Sequence, residues 1–180
     1  MPSPAILVVT GASGAGKTTA VREIEARAVP GVRCYYFDSI GVPAPADMVR
    51  DYGSGEAWQA AITGRWIARL VAGDAEVAVL DGQVRPSVVR AAVAQGPASV
   101  AFEIVLLDCV PAERLRRLSG PRGQPDLATP QMDAWAAYLR GQADALGLPV
   151  LDTSVLTVAG VADALLGHVE RLRSARRLLP

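Results

Sequence analysis

Residues 5–18 read AILVVTGASGAGKT, and the two halves of that stretch obey different rules. Ala5–Thr10 is a short unbroken apolar run ending at a glycine, the pattern of a strand buried on both faces. Gly11-Ala12-Ser13-Gly14-Ala15-Gly16-Lys17-Thr18 then fits G-x-x-x-x-G-K-[S/T], with a strand before it and a helical pattern after it, the context that motif needs. Its glycines let successive backbone N–H groups turn inward around phosphate oxygens, where a Cβ would obstruct them. The start of the next helix adds positive potential and unpaired donors. Lys17 sets a compact charge on the β- and γ-phosphates, and the Thr18 hydroxyl can coordinate Mg²⁺. The stretch predicts a triphosphate cradle made of Gly11 to Thr18, with Thr19 beside it.

Composition sharpens that reading. Lys17 is the one lysine among 18 basic residues; every other positive charge is an arginine. A guanidinium is a planar fork and does not fit a loop shaped around a point charge, so the ammonium has been kept where the motif needs it. The 18 acidic residues cancel the basic ones, which leaves no basic excess to follow a nucleic-acid backbone.

Downstream, apolar runs alternate with helical patterns, which predicts an α/β fold: a three-layer αβα arrangement on a five-stranded parallel sheet. The strands are Ala5–Thr10, Val32–Phe37, Glu76–Leu80, Val100–Leu107 and Pro149–Leu151. Helical patterns cover Thr18–Val29, Ala57–Val71, Pro86–Ala94, Ala112–Leu118, Gln131–Leu146 and Val158–Arg177. In Ala57–Val71 the row Trp58, Ile62, Trp66, Leu70 recurs every fourth residue and reads as core. Residues 41–56 read as irregular with a short helix at most, and 119–130 as a Gly/Pro loop. At 180 residues one domain is expected. The start MPSPAILVVTGAS lacks the pattern of a secretion signal, and no run of apolar residues is long enough to span a bilayer. Cys34 and Cys109 sit in apolar runs, which reads as buried thiols in a reducing compartment. A cytoplasmic protein, a monomer or homodimer without nucleic-acid or membrane partners, is expected.

Ligands of parallel sheets gather at the carboxyl ends of the strands. Gly11, Asp38 and Asp81 all fall there. Asp38 closes VRCYYFD on a strand expected to lie beside the first; it either holds the Mg²⁺ shell or accepts a proton from a substrate hydroxyl. Asp81 closes EVAVLD, a Walker-B pattern, and is a second candidate metal residue with Thr18. Arg85, four residues on, is suited to grip a phosphate or carboxylate bidentately. Arg122, between Pro121 and Gly123, is the candidate charge-neutralising arginine of a closing lid, and Arg117 the second. Arg114 and Arg116 read as solvated helix charges. So do Arg171, Arg173, Arg176 and Arg177 at the end of the last helix. His168 reads as a packing residue.

Together these segments resemble the P-loop nucleotide and small-metabolite kinases: adenylate, shikimate and gluconate kinases and chloramphenicol phosphotransferase. GASGAGKTT resembles their phosphate loop, LDGQVR their D-G-F-P-R segment, and YYFDS their F-D-S-D. VLLDCVPAERLRRL is similar to the strand and helix leading into their lid, and LPVLDTS to the last strand and the loop beneath adenine. The resemblance implies a P-loop NTPase fold, ATP and Mg²⁺ as cofactors, and a small-molecule acceptor held by residues 41–75. It implies catalytic roles for Lys17, Asp38, Arg85 and Arg122. Ile40 stands where shikimate kinases carry a second aspartate and Gln83-Val84 replaces Phe-Pro, departures that count against shikimate and weaken a nucleoside monophosphate as acceptor; the expected acceptor is a hydroxyl or phosphate of a small metabolite or nucleotide. The competing reading is an ATPase or nucleotide-binding switch with a macromolecular partner. An N-K-x-D base-recognition segment is ruled out, because the single lysine is Lys17.

Overall fold

The computed structural model describes residues 4–96, 100–120 and 123–178. Its centre is β1 (Ala5–Thr10), six residues with no exposed position. Alternate side chains of a strand point to opposite faces, so an all-apolar strand must be covered on both. Ala5, Leu7 and Val9 join one core cluster, and Ile6 and Val8 the other. β3 (Val77–Asp81) and β4 (Phe102–Asp108) flank β1 in parallel, with Val9 opposite Asp81 and Thr10 opposite Leu106. β2 (Val32–Tyr36) and β5 (Val150–Asp152) form the edges, giving the order β2-β3-β1-β4-β5.

The expected five parallel strands are present, but β2 is not the neighbour of β1: β3 lies between them. The burial of the strands explains the order. All five residues of β3 are buried, whereas β2 carries Arg33 and is only partly covered, and charged side chains suit an edge strand.

On one face α1 (Lys17–Ala26) and α7 (Val158–Arg177) cover the sheet through Val21, Ile24, Val161, Leu165 and Val169. On the other lie α3 (Gly55–Val71), α4 (Pro86–Ala94) and α6 (Pro130–Leu146). The row Trp58, Ile62, Trp66, Leu70 is buried as expected. Ser54 caps α3 by accepting from the Ala57 N–H at 3.0 Å, and Thr129 and Thr157 cap α6 and α7 in the same way. Residues 41–56 hold the short helix the sequence allowed for there: α2 (Pro45–Tyr52) begins on a proline suited to a first helical turn. α5 (Pro111–Ser119) leads into the loop that precedes α6.

Phe37 does not extend β2. It opens a 3-10 turn, Phe37–Ile40, so Asp38 lies one residue into that turn. The Phe37 ring fills the space over Gly82, where an added Cβ would stand 2.8 Å from the Phe37 Cβ. One surface feature also departs from expectation. Arg173 is largely covered and pairs with Glu76 at 3.2 Å, so the basic end of α7 is bound to the sheet's lower edge and is only in part a solvated helix end. His168 is buried, as expected for a packing residue, and in addition shares a 2.7 Å contact with Glu103.

Crowding at Gly82 is testable against an open glycine. Gly82→Ala is expected to lose about 1–3 kcal/mol because Phe37 must shift. Gly64→Ala, inside α3 with nothing within 4 Å of its added Cβ, is expected to gain about 0.5–1 kcal/mol. Urea midpoints for the two variants check both signs.

Candidate active site

The chain leaves β1 in one direction toward β3 and β2 and in the other toward β4 and β5, so its tip is the switch point of the sheet. The loop that follows lies against β4 and α5 with no clearance. A Cβ on Gly11 would stand 2.2 Å from the Leu107 carbonyl oxygen, and one on Gly14 2.9 Å from the Arg114 Cγ. Both also have positive φ, at 149° and 83°. α1 then starts from Gly16 in the left-handed region, and no side chain caps it. α3, α6 and α7 each spend a hydroxyl on their first turn; α1 has no side-chain acceptor there.

Side chains complete the cradle. Lys17 is buried and its Nζ donates to the Ala12 carbonyl at 3.1 Å, which folds the ammonium back over the loop. Thr18 donates to the Asp81 carboxylate at 2.5 Å, linking α1 to the end of β3. The Thr10 hydroxyl donates to the Val84 carbonyl at 2.6 Å and accepts from the Val84 N–H, which fixes the β3–α4 loop on the tip of β1.

These groups open onto a cavity of about 240 Å³. One wall is Ser13, Lys17, Thr18 and Arg22; another is Tyr36, Phe37 and Asp38; the third is Asp81, Gly82 and Gln83. Asp38 therefore shares a cavity with the β1–α1 loop although its strand is not adjacent to β1. Its side chain is exposed and has no hydrogen bond or ion pair among the described residues. Tyr36 donates to Glu25 at 2.8 Å, and burial followed by that carboxylate pushes its hydroxyl up, so it stays neutral.

Arg85 does not line this cavity. Its guanidinium donates to Gln59 at 2.9 Å and Glu56 at 3.2 Å, and lies 4.8 Å over the Trp135 ring. Gln59 donates in turn to the Gln83 carbonyl at 3.1 Å, so Arg85 stands one residue behind the cavity wall.

Arg117 binds α5 to both the β1–α1 loop and the β5–α7 loop. It donates to the Gly14 carbonyl at 3.2 Å, to the Thr153 hydroxyl at 2.9 Å and to the Thr153 carbonyl at 2.6 Å. Glu113 accepts from Arg117 and Arg116, each at 2.7 Å. The Arg116 hydrogen bond, then that of Arg117, holds the Glu113 carboxyl down to about 2. Arg114 is not the solvated charge expected of it: it is buried and bonds Asp133 at 2.6 Å, Asp108 at 3.2 Å and the Cys109 carbonyl at 3.0 Å. Arg114 and Leu118 share one row of α5, and that row is the one laid under Gly14. Arg116 is exposed, as expected. Arg122, the expected lid arginine, lies outside the described residues, as does Pro121.

Both thiols are inert by environment. Burial pushes Cys34 up to about 12 and raises Cys109, whose Sγ lies 3.7 Å from the Gly14 carbonyl. No group of three His, Cys, Asp or Glu side chains converges among the described residues. A divalent ion here would rely on Thr18, Asp81, water and ligand phosphates, the sparse donor set that suits Mg²⁺. Arg22 was not anticipated. Its signal is its position one turn beyond Thr18 on the same face of α1.

No protein-family model matches the sequence, and no curated protein matches it. Solved structures do match in fold. A shikimate kinase from Acinetobacter baumannii in complex with shikimate superposes with a TM-score of 0.61 at 17% identity, covering 93% of this chain and 94% of that one. A gluconokinase from Sinorhizobium meliloti 1021 gives 0.60 at 18% identity over 97% and 96%. A deoxyadenosine kinase from M. mycoides gives 0.61 at 11% identity over 92% and 99%. The chain has the fold of the P-loop small-molecule kinases.

The Glu113 pair has a pH signature. Its folded value lies near 2 against an ordinary 4.5, so its stabilising effect is complete above pH 4.5 and disappears as pH falls toward 2. The difference in urea midpoint between the unaltered chain and Glu113→Gln should shrink over that window. A difference that stays constant with pH would contradict the assignment.

Proposed function

We propose that this chain is an ATP-dependent phosphotransferase that passes the γ-phosphoryl group to a hydroxyl or phosphate of a small acceptor. The observation that carries the proposal is the meeting of Lys17, the Thr18–Asp81 pair and the unpartnered Asp38 around one cavity at the sheet's switch point. Each of these has a distinct part in phosphoryl transfer. Loop amides from Gly11 to Thr19 and the Lys17 ammonium take up the charge of the phosphates. Thr18 and Asp81 are the residues that would hold Mg²⁺, which screens the phosphate charge when bound. Arg117, bonded to the Gly14 carbonyl and to Thr153, is assigned to the nucleotide, on the side where its base and sugar would leave the loop. Asp38 accepts the acceptor's proton as its oxygen bonds to the γ-phosphorus and the bond to the leaving ADP breaks.

The pairing of Thr18 with Asp81 favours this division of labour between the two aspartates. Asp81 is buried and already bonded to the residue that would share the metal, while Asp38 is exposed and uncommitted. Residues 41–75 form the acceptor side, with Arg85 behind them. Glu56, exposed and bonded to Arg85, is a carboxylate that an acceptor's own phosphate or carboxylate can replace.

The test is release of ADP from ATP with a panel of nucleotides, sugars and aminocyclitols. Turnover that requires one acceptor is expected. Hydrolysis that ignores every acceptor and responds to a protein partner would favour the ATPase or switch reading. Lys17→Ala should weaken ATP binding by roughly 10²-fold, the value of one strong charge-assisted contact. Asp38→Asn should leave ATP binding intact and lower transfer by roughly 10²–10⁴-fold. An Asp38→Asn protein with full turnover would remove Asp38 from the chemistry.

A further inference from the structure

A second cavity, of about 420 Å³, shares no lining residue with the phosphate cavity. Tyr52, Trp58 and Trp66 give it aromatic walls, and Ile40, Pro43 and Ile62 complete its apolar surface. Walls of this kind receive a flat apolar body, since ring faces and edges pack well against one another. Ile40 remains 47% exposed at the mouth, an apolar side chain that the fold itself does not cover.

The charge at the rim has one sign. Arg65 and Arg69 line the cavity one helical turn apart on α3, and like charges at that spacing repel. Neither has an ion-pair or hydrogen-bond partner among the described residues. Four acids of the flanking segments are committed elsewhere, Asp47 and Asp51 of α2 to Arg50, Asp74 to Arg33 and Glu56 to Arg85, and Asp38 lines the phosphate cavity instead. Arg69 lies with its guanidinium 5.1 Å over the Trp66 ring, which fixes its plane and leaves its N–H edge for an anion.

We infer that this cavity is a second ligand site, separate from the phosphate cavity, for a planar apolar molecule that carries one anionic group. The ring body lies between Tyr52 and the two indoles, and the anion between Arg65 and Arg69. The site stands behind the turn that bears Asp38. The Trp66 indole N–H donates to the Phe37 carbonyl at 3.3 Å, and Phe37 packs edge-on against Trp58 at 6.1 Å. An occupant therefore touches the two side chains that hold that turn. Its lining falls, Ile40 apart, within the 41–75 segment assigned above to the acceptor side; the test reads binding without turnover, so its failure and the failure of the phosphotransferase reading are distinguishable.

The probe is 8-anilinonaphthalene-1-sulfonate, with neutral N-phenyl-1-naphthylamine as its uncharged counterpart, titrated into the full chain and followed by probe fluorescence and tryptophan quenching. One saturable site for the sulfonate is expected, with binding of the neutral probe at least about tenfold weaker, as loss of a charge-assisted contact implies. Saturating ATP should not displace the sulfonate. Arg65→Gln with Arg69→Gln should weaken it by about tenfold or more, with an unchanged circular dichroism spectrum and thermal midpoint. Undiminished binding by the double variant, equal binding of the neutral probe, or displacement by ATP would each overturn the inference. So would a dimer in sedimentation that the double variant abolishes, because the face would then belong to a second copy.

Discussion

The loop after β1 is pressed so closely onto β4 and α5 that two of its positions cannot carry a side chain. Gly11 lies against the Leu107 carbonyl and Gly14 against Arg114. That crowding keeps the loop in one shape and brings the start of α1 over the tip of β1. Everything else at the site is fastened to this loop. Thr18 reaches Asp81 on β3, Arg117 reaches across to Thr153, and Thr10 holds the β3–α4 loop. Burying Arg114 beneath the loop costs desolvation, which Asp108, Asp133 and the Cys109 carbonyl offset. Removing the arginine would strand those acceptors, a larger loss than the pair's own net contribution.

Most of this frame was legible in the sequence because each layer leaves a local pattern. Continuous apolar runs marked the buried strands, a four-residue row marked α3, and the G-x-x-x-x-G-K-[S/T] stretch marked the loop that joins β1 to α1. Strand order is not local, and there the reading failed: nothing in VRCYYF says which strand will lie beside it. A weaker signal existed, since Arg33 suits an edge while EVAVL does not. Arg114 was misread for a similar reason. A charge in a run of arginines looks solvated until its row, shared with Leu118, is seen to face the loop. Arg85 was expected at the site and stands just behind its wall, because Gln59 intervenes. Arg122 lies outside the described residues, so its part remains a reading of the sequence alone.

The arginines also divide the surface by use. On α5 and α7 they are structural ties, to Glu113, Asp133, Glu76 and Glu103. Along α3, Arg65 and Arg69 flank an aromatic hollow with no such tie among the described residues. The Phe37–Ile40 turn stands between that hollow and the cavity at the tip of β1, with Phe37 and Asp38 lining the latter and Ile40 the hollow. The residue proposed to handle the acceptor's proton is thus carried on a segment with a ligand-shaped space behind it.

The central claim is that this one loop holds the phosphates. It is tested most directly by a crystal structure of the chain grown with ADP and magnesium. The account predicts the β-phosphate enclosed by the backbone N–H groups between Gly14 and Thr18, with the Lys17 ammonium moved from the Ala12 carbonyl onto it and Thr18 turned toward the metal. A diphosphate bound elsewhere, with Lys17 still on Ala12, would contradict it.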